Sequence, residues 1–209
     1  MSSVYRTVPG DHLSRVAHQH GIFPYWPVWD DPANRPLRLI RKTPHILAPG
    51  DQVEIPDRME REVERVTEKR HRFRLHARPL VLRLRASRWE GKPVAGVPYT
   101  LAIDGQTATG NTKPDGTIEQ RISATAAKGT LTIEGRAFDV FVGHLEPLDT
   151  VPGWRERLTN LGYDAGRSED PNDLQLRSAV EEFQCDHGLA VDGRCGPGTQ
   201  AKLHQVHGC

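Results

Sequence analysis

Hydrophobic and polar positions change their period three times along this chain. Residues 4–8 read as a short strand. Leu13, Val16 and Ala17 then recur at helical spacing, with Asp11 placed to cap that helix and Gly21 to stop it. A second helix is predicted from Asn34 as cap, Pro36 in the first turn, and Leu37 and Ile40 on one face, with Pro44 ending it. Pro49-Gly50 makes a turn, after which Val53 and Ile55 alternate as a strand. The expected order across residues 1–57 is βααβ.

The period then falls to two. Residues 58–78 are charged and lack a helical apolar stripe, and Arg70, Arg72 and Arg74 alternate with His71, Phe73 and Leu75, so this stretch reads as an extended linker or strand. From residue 79 to 148, short alternating runs are divided by turn signals. Leu80, Leu82 and Leu84 share one face, as do Tyr99, Leu101 and Ile103. Ile118 and Ile122, Leu131 and Ile133, and Val140 and Val142 continue the pattern, and Asp104-Gly105 and Asp115-Gly116 are expected hairpin turns. An antiparallel sandwich of about six or seven strands is predicted.

Residues 152–209 return to helical spacing. Trp154, Leu158 and Leu161 form one face, stopped by Gly162, and Leu176, Ala179, Val180 and Phe183 form a second. Thr199 is placed to cap a third helix carrying Leu203 and Val206 and ending at Gly208.

Composition narrows the class. The chain has 209 residues with a formal net charge of +1 and 36% hydrophobic residues, and its mean hydropathy is -0.59. No apolar run approaches the roughly 20 residues of a membrane helix, and the balanced charge gives no pull toward nucleic acid or an anionic membrane. The first strand begins at once, leaving no room for a signal peptide. The expectation is a protein that stays cytoplasmic until exported by a non-classical route and acts in the periplasm or at a cell wall. Cys185, Cys195 and Cys209 all lie near the C-terminus. A Cys195–Cys209 disulfide would tie both ends of the last helix, and three reduced thiols are the alternative.

Three motifs resemble known families. Tyr5-Arg6-Thr7-Val8-Pro9-Gly10-Asp11-His12-Leu13 and Ile46-Leu47-Ala48-Pro49-Gly50-Asp51 together resemble a LysM domain, a module that grips N-acetylglucosamine-containing glycans. The long aromatic segment between its helices, with Trp29, Asp30, Asn34, Leu37, Arg41 and Pro44 in series, is similar to the LysM variant found beside the spike genes of type VI and other contractile injection machines. Leu158-Thr159-Asn160-Leu161-Gly162-Tyr163, Ala179-Val180-Glu181-Glu182-Phe183-Gln184 and Val191-Asp192-Gly193-Arg194-Cys195-Gly196-Pro197-Gly198-Thr199 resemble the three-helix peptidoglycan-binding domain. Its Asp-Gly-x-x-Gly-Pro-x-Thr turn is intact at Asp192 to Thr199 and degraded in the first copy, Ser168 to Asp173. Gly91 to Tyr99 and Thr112 to Gly116 resemble transthyretin-like or Ig-like spacers of secreted bacterial proteins.

The resemblances imply a multidomain α+β chain: an N-terminal βααβ LysM, a central antiparallel β-sandwich and a C-terminal three-helix peptidoglycan-binding domain. They place a glycan groove between Gly10, Asp11, His12 and Leu13 on one wall and Ile46, Leu47, Ala48 and Pro49 on the other. The alternative is that Asp11 is only a helix cap and the groove is vacant. Tyr163, Asp192 and Arg194 are the muropeptide-binding candidates. The insert aromatics Phe23, Tyr25, Trp26 and Trp29 invite a sugar-stacking reading, and core or interdomain packing is the favoured expectation. No His-Glu-x-x-His, Gly-x-Ser-x-Gly or P-loop pattern occurs. His204, His207, Cys195 and Cys209 could in principle surround zinc, but exposed histidines are the ordinary reading. The expectation is a non-enzymatic protein without metal or cofactor. Its expected partners are peptidoglycan glycan strands and, as the alternative, a secretion spike protein for which it is adaptor or cargo. Neither nucleic acid nor a membrane is an expected partner.

Overall fold

The computed structural model describes residues 2–57, 64–72, 80–88 and 91–208. Two compact units divide at Val142/Gly143. The linker prediction at 58–78 lies in part outside the described residues, as does the strand pattern beyond Arg72.

The first unit starts with β1 (Ser3–Arg6), paired antiparallel to β2 (Gln52–Ile55) with Tyr5 opposite Val53. Between them run α1 (Leu13–Gln19), α2 (Trp26–Trp29), a 3-10 turn (Pro32–Asn34) and α3 (Arg35–Arg41). The two predicted helices are present, joined by two extra single-turn elements inside the aromatic segment. Leu13, Val16, Ala17, Val28, Trp29, Leu37, Leu47, Val53 and Ile55 make one core.

Asn34 does not cap α3 with its side chain. It is only 1% exposed, and its amide donates to the Val28 and Glu54 carbonyls at 2.8 and 2.6 Å while its oxygen accepts from Glu54 N–H at 2.8 Å. One side chain thus fastens the helical segment to β2 across 20 residues of sequence. Asn34→Ala is expected to destabilise this part of the chain by about 2 kcal/mol, because buried peptide groups lose their partners. Amide exchange in β2 measures it, and unchanged protection at Glu54 would refute the tie.

The same unit continues with β3 (Leu80–Arg85), β4 (Pro98–Ile103), β5 (Gln106–Asn111), β6 (Thr117–Ile122), β7 (Lys128–Ile133) and β8 (Arg136–Phe141). β3 pairs with β6, and the other four form a sheet in the order β5-β4-β7-β8, all neighbours antiparallel. Tyr99, Leu101 and Ile103 share a core with Leu131, Ile133, Ile118 and the inner leucines of β3, so the two sheets close on each other. Asp104-Gly105 turns the β4–β5 hairpin with both φ angles positive, 51° and 70°. Asp115-Gly116 does not join paired strands. It carries the chain from β5 in one sheet to β6 in the other. The second tight hairpin is Glu134-Gly135, between β7 and β8.

The second unit holds α4 (Val151–Asn160), α5 (Leu174–Asp186) and α6 (Pro197–His207). Leu158, Leu176, Ala179, Val180, Phe183 and Leu203 are its core. Residues 143–150 belong with these helices. The buried Arg157 donates to the Glu146 and Gly153 carbonyls at 2.8 and 2.7 Å, and the Trp154 indole donates to the Leu148 carbonyl at 2.6 Å. Thr150 caps α4 and Asp173 caps α5. Among the described residues no helix is long and apolar enough to cross a membrane.

Candidate functional site

The two predicted groove walls are built from the same turn used twice. Val8-Pro9-Gly10-Asp11 and Ala48-Pro49-Gly50-Asp51 each place glycine at positive φ, 88° and 91°, as a proline-initiated type II turn requires. In each, the aspartate N–H donates back to the first residue's carbonyl, at 3.1 and 3.2 Å. In each, the aspartate carboxylate accepts from the first residue's N–H at 2.9 Å. The outer carboxylate contact then differs. Asp11 takes the Tyr5 hydroxyl at 2.8 Å, and Asp51 takes both guanidinium arms of Arg41 at 2.7 and 2.9 Å.

Asp11 is therefore not the cap of α1. The cap position is His12, whose side chain makes no capping bond. Thr7 joins the twin turns: its N–H donates to Asp51, its carbonyl accepts from Gly50, and its hydroxyl donates to Ala48 at 2.5 Å. Leu13 N–H reaches the Pro44 carbonyl at 3.1 Å. These bonds bring the predicted walls side by side.

Their exposure is unequal. Gly10, Asp11, His12 and Leu13 are all buried, Leu47 is buried, Ile46 and Ala48 are half-buried, and Pro49 is exposed. His12 is 3% exposed and its Nε2 has no hydrogen-bond partner. Burial, and then the charges of His45 and Arg15, push its pKa down to about 4, so the ring is neutral at pH 7. The aromatic insert divides. Trp29 enters the core at 8% exposure, whereas Phe23 and Trp26 stay 49% and 40% exposed. The expectation of packing holds for Trp29 and fails for those two.

In the helical unit, Gln184 governs the intact turn. Its amide oxygen accepts from Asp192 and Gly193 N–H, both at 3.0 Å, and its nitrogen donates to Asp192 Oδ1, the Arg194 carbonyl and Thr199 Oγ1 at 2.8–3.0 Å. Gly193 has φ 67°, and a Cβ there would meet Glu181 and Arg177 within 3 Å. Thr199 is thus a partner of Gln184 and not a cap; the α6 cap position is Gly196. In the degraded copy, Asp170 accepts from Asn172 N–H at 2.8 Å, and Asp173 keeps the capping role.

Of the three muropeptide candidates, Tyr163 is buried. Its hydroxyl donates to Asp186 at 2.9 Å and its ring meets Phe183 edge-on. Asp192 is exposed, with one carboxylate oxygen turned to Gln184 and Arg194 N–H. Those hydrogen bonds hold its carboxyl below the usual range. The Arg194 side chain is exposed.

Cys195 is a free thiol in the helical core, and burial pushes it up to about 12, so it is unreactive at neutral pH. Cys209, the other half of the expected Cys195–Cys209 bond, lies outside the described residues. Among the described residues no group of three His, Cys, Asp or Glu is placed to hold a metal.

The helices and the Gln184-bound turn coincide with a family match. Residues 154–203 match the family described as "Putative peptidoglycan binding domain". A stretch of 56 residues is also 38% identical to the N-acetylmuramoyl-L-alanine amidase CwlM of Mycobacterium tuberculosis, covering 27% of this chain and 14% of that protein. The matched part is a small fraction of that relative. No solved structure matches the chain significantly. Sequence reasoning found the Asp192–Thr199 turn but missed Gln184 as its organiser. The signal was present: Gln184 follows the core residue Phe183 on a helix, where an uncharged polar residue in a buried stripe calls for a partner.

Proposed function

We propose that this chain is a non-enzymatic protein that holds peptidoglycan through two modules, a LysM-like one at residues 1–57 and the peptidoglycan-binding domain near the C-terminus. The observation that carries the reading is the family match at residues 154–203 together with the fully bonded Asp192–Thr199 turn. The LysM-like reading is supported by the twin Pro-Gly-Asp turns tied through Thr7. Two weak sites on one chain gain affinity by effective concentration. Delivery to a periplasm or wall by a type VI or related contractile system is the route that the insert series favours. Several of those residues build the module itself: Trp29 and Leu37 in its core, Asn34 across to β2, and Arg41 on Asp51.

The full chain is expected to co-sediment with purified sacculi while releasing no muropeptides over hours. Arg194→Glu is expected to weaken pelleting several-fold, about 1–2 kcal/mol, by replacing an exposed cation with a repelling carboxylate opposite muropeptide carboxylates. A chain that stays in the supernatant, or that releases muropeptides, overturns the reading.

The burial of Gly10 to Leu13 favours a second reading, in which the N-terminal module is an adaptor or cargo piece for a secretion spike. Co-purification with the spike protein by a chain that ignores sacculi would select it.

A further inference from the structure

Within the N-terminal module, Tyr25, Trp26 and His45 make a run of ring contacts. Tyr25 and Trp26 have ring centroids 4.4 Å apart at 34°, and His45 meets Tyr25 edge-on at 5.6 Å. Tyr25 packs against the module core and so anchors the set. Trp26 stays 40% exposed, and Phe23 close by in sequence 49% exposed. His45 is the residue immediately before the Ile46–Pro49 wall.

Leaving an indole and a phenyl ring in water forgoes burial that a small module would otherwise use for stability. A core role explains Trp29 and does not explain these two. Their charge setting is equally particular. His12 and His45 are both held toward the neutral form, first by burial, and the buried His12 keeps a ring nitrogen without a partner, close enough to His45 for their charges to interact. A face of stacked rings suits a ligand that has an apolar face and polar edges.

We propose that Trp26, with Tyr25 and His45 behind it and Phe23 at its margin, is a stacking platform for a pyranose ring of an N-acetylated glycan, extending the groove beyond the Ile46–Pro49 wall. This rests on the reading of residues 1–57 as a glycan-binding module. The C–H face of the sugar lies on the indole, and its hydroxyl and N-acetyl edges remain for the turns.

The test is calorimetric titration of the full chain with a linear tetramer of β-1,4-linked N-acetylglucosamine, which has no stem peptide. Trp26→Ala is expected to weaken binding about tenfold, and Trp26→Phe, which keeps a ring, by less than about threefold. Amide exchange in β1 and β2 confirms that both variants remain folded. Wild-type affinity in a folded Trp26→Ala variant overturns the platform, leaves the groove reading intact and makes the rings a protein-docking surface. No tetramer binding by the wild type overturns the platform and the N-terminal groove together, while sacculus pelleting still reports on the helical unit.

Discussion

Replacing Gln184 by leucine is expected to lower the stability of the helical unit by about 3 kcal/mol. Leucine matches the volume and suits the helix, so α5 itself keeps its propensity. The loss is polar. Gln184 is 1% exposed, and its removal strands the Asp192 and Gly193 N–H groups, the Arg194 carbonyl and the Thr199 hydroxyl at once. A unit of this size holds only about 3–5 kcal/mol in reserve, so the change is comparable with its whole stability. Thermal unfolding followed by Trp154 fluorescence and by amide exchange in α5 and α6 measures it. Gln184→Glu separates bonding from packing: it keeps the acceptor for the two N–H groups but loses the donor and faces Asp192. It is expected to fall between wild type and leucine at low pH and to approach leucine at pH 7. A leucine variant of wild-type stability would show that the turn stands without its organiser. If the turn forms the wall-binding surface, pelleting with sacculi falls in step with folding.

The apolar framework was legible because it follows from period alone. Tyr99, Leu101 and Ile103 alternate on a strand, and Leu176, Ala179, Val180 and Phe183 repeat on a helix; both sets are buried as their spacing dictates. The Asp104-Gly105 turn was legible because that pair tolerates two positive φ angles. Glu134-Gly135 adopts the same backbone, but glutamate gives no such signal. Asp115-Gly116 carried the signal and took a different job, because which strands pair depends on the sheet and not on the turn. Polar side chains were the least legible. Asp11, Asn34 and Thr199 each look like helix caps, and each binds something else: Asp11 the Val8 N–H of its own turn and the nearby Tyr5 hydroxyl, Asn34 the distant backbone of Glu54, and Thr199 the amide of Gln184. A cap is a local interaction and can be guessed from neighbours. A partner 15 or 20 positions away can be named only once the chain is folded.

Acidification is expected to loosen the N-terminal module before pH 4 is reached, with His12 as the main cause. In the unfolded chain a histidine takes its proton near pH 6.5. In the folded module the His12 value lies at about 4. Between these values the unfolded state holds a proton that the folded state refuses, so stability rises with pH across the window and falls as pH drops through it. The contribution is fully retained above about pH 6.5, and the loss is complete near about pH 4, where it amounts to about 3 kcal/mol. His45 adds to it with the same sign, since burial lowers its value also. Depressed carboxylates such as Asp192 and Glu119 act in the same direction, but only below the usual carboxylate range, and they lie outside this module. Amide exchange in β1 and β2, measured at intervals from pH 7 to pH 4, isolates the module from the rest of the chain. His12→Gln keeps a polar side chain that does not titrate. Its stability is expected to fall less than the wild type's through the window, by the His45 share alone, so the two curves converge toward pH 4. Parallel curves would mean that His12 acquires its proton without cost, and that the unpartnered nitrogen finds a donor or acceptor in solution.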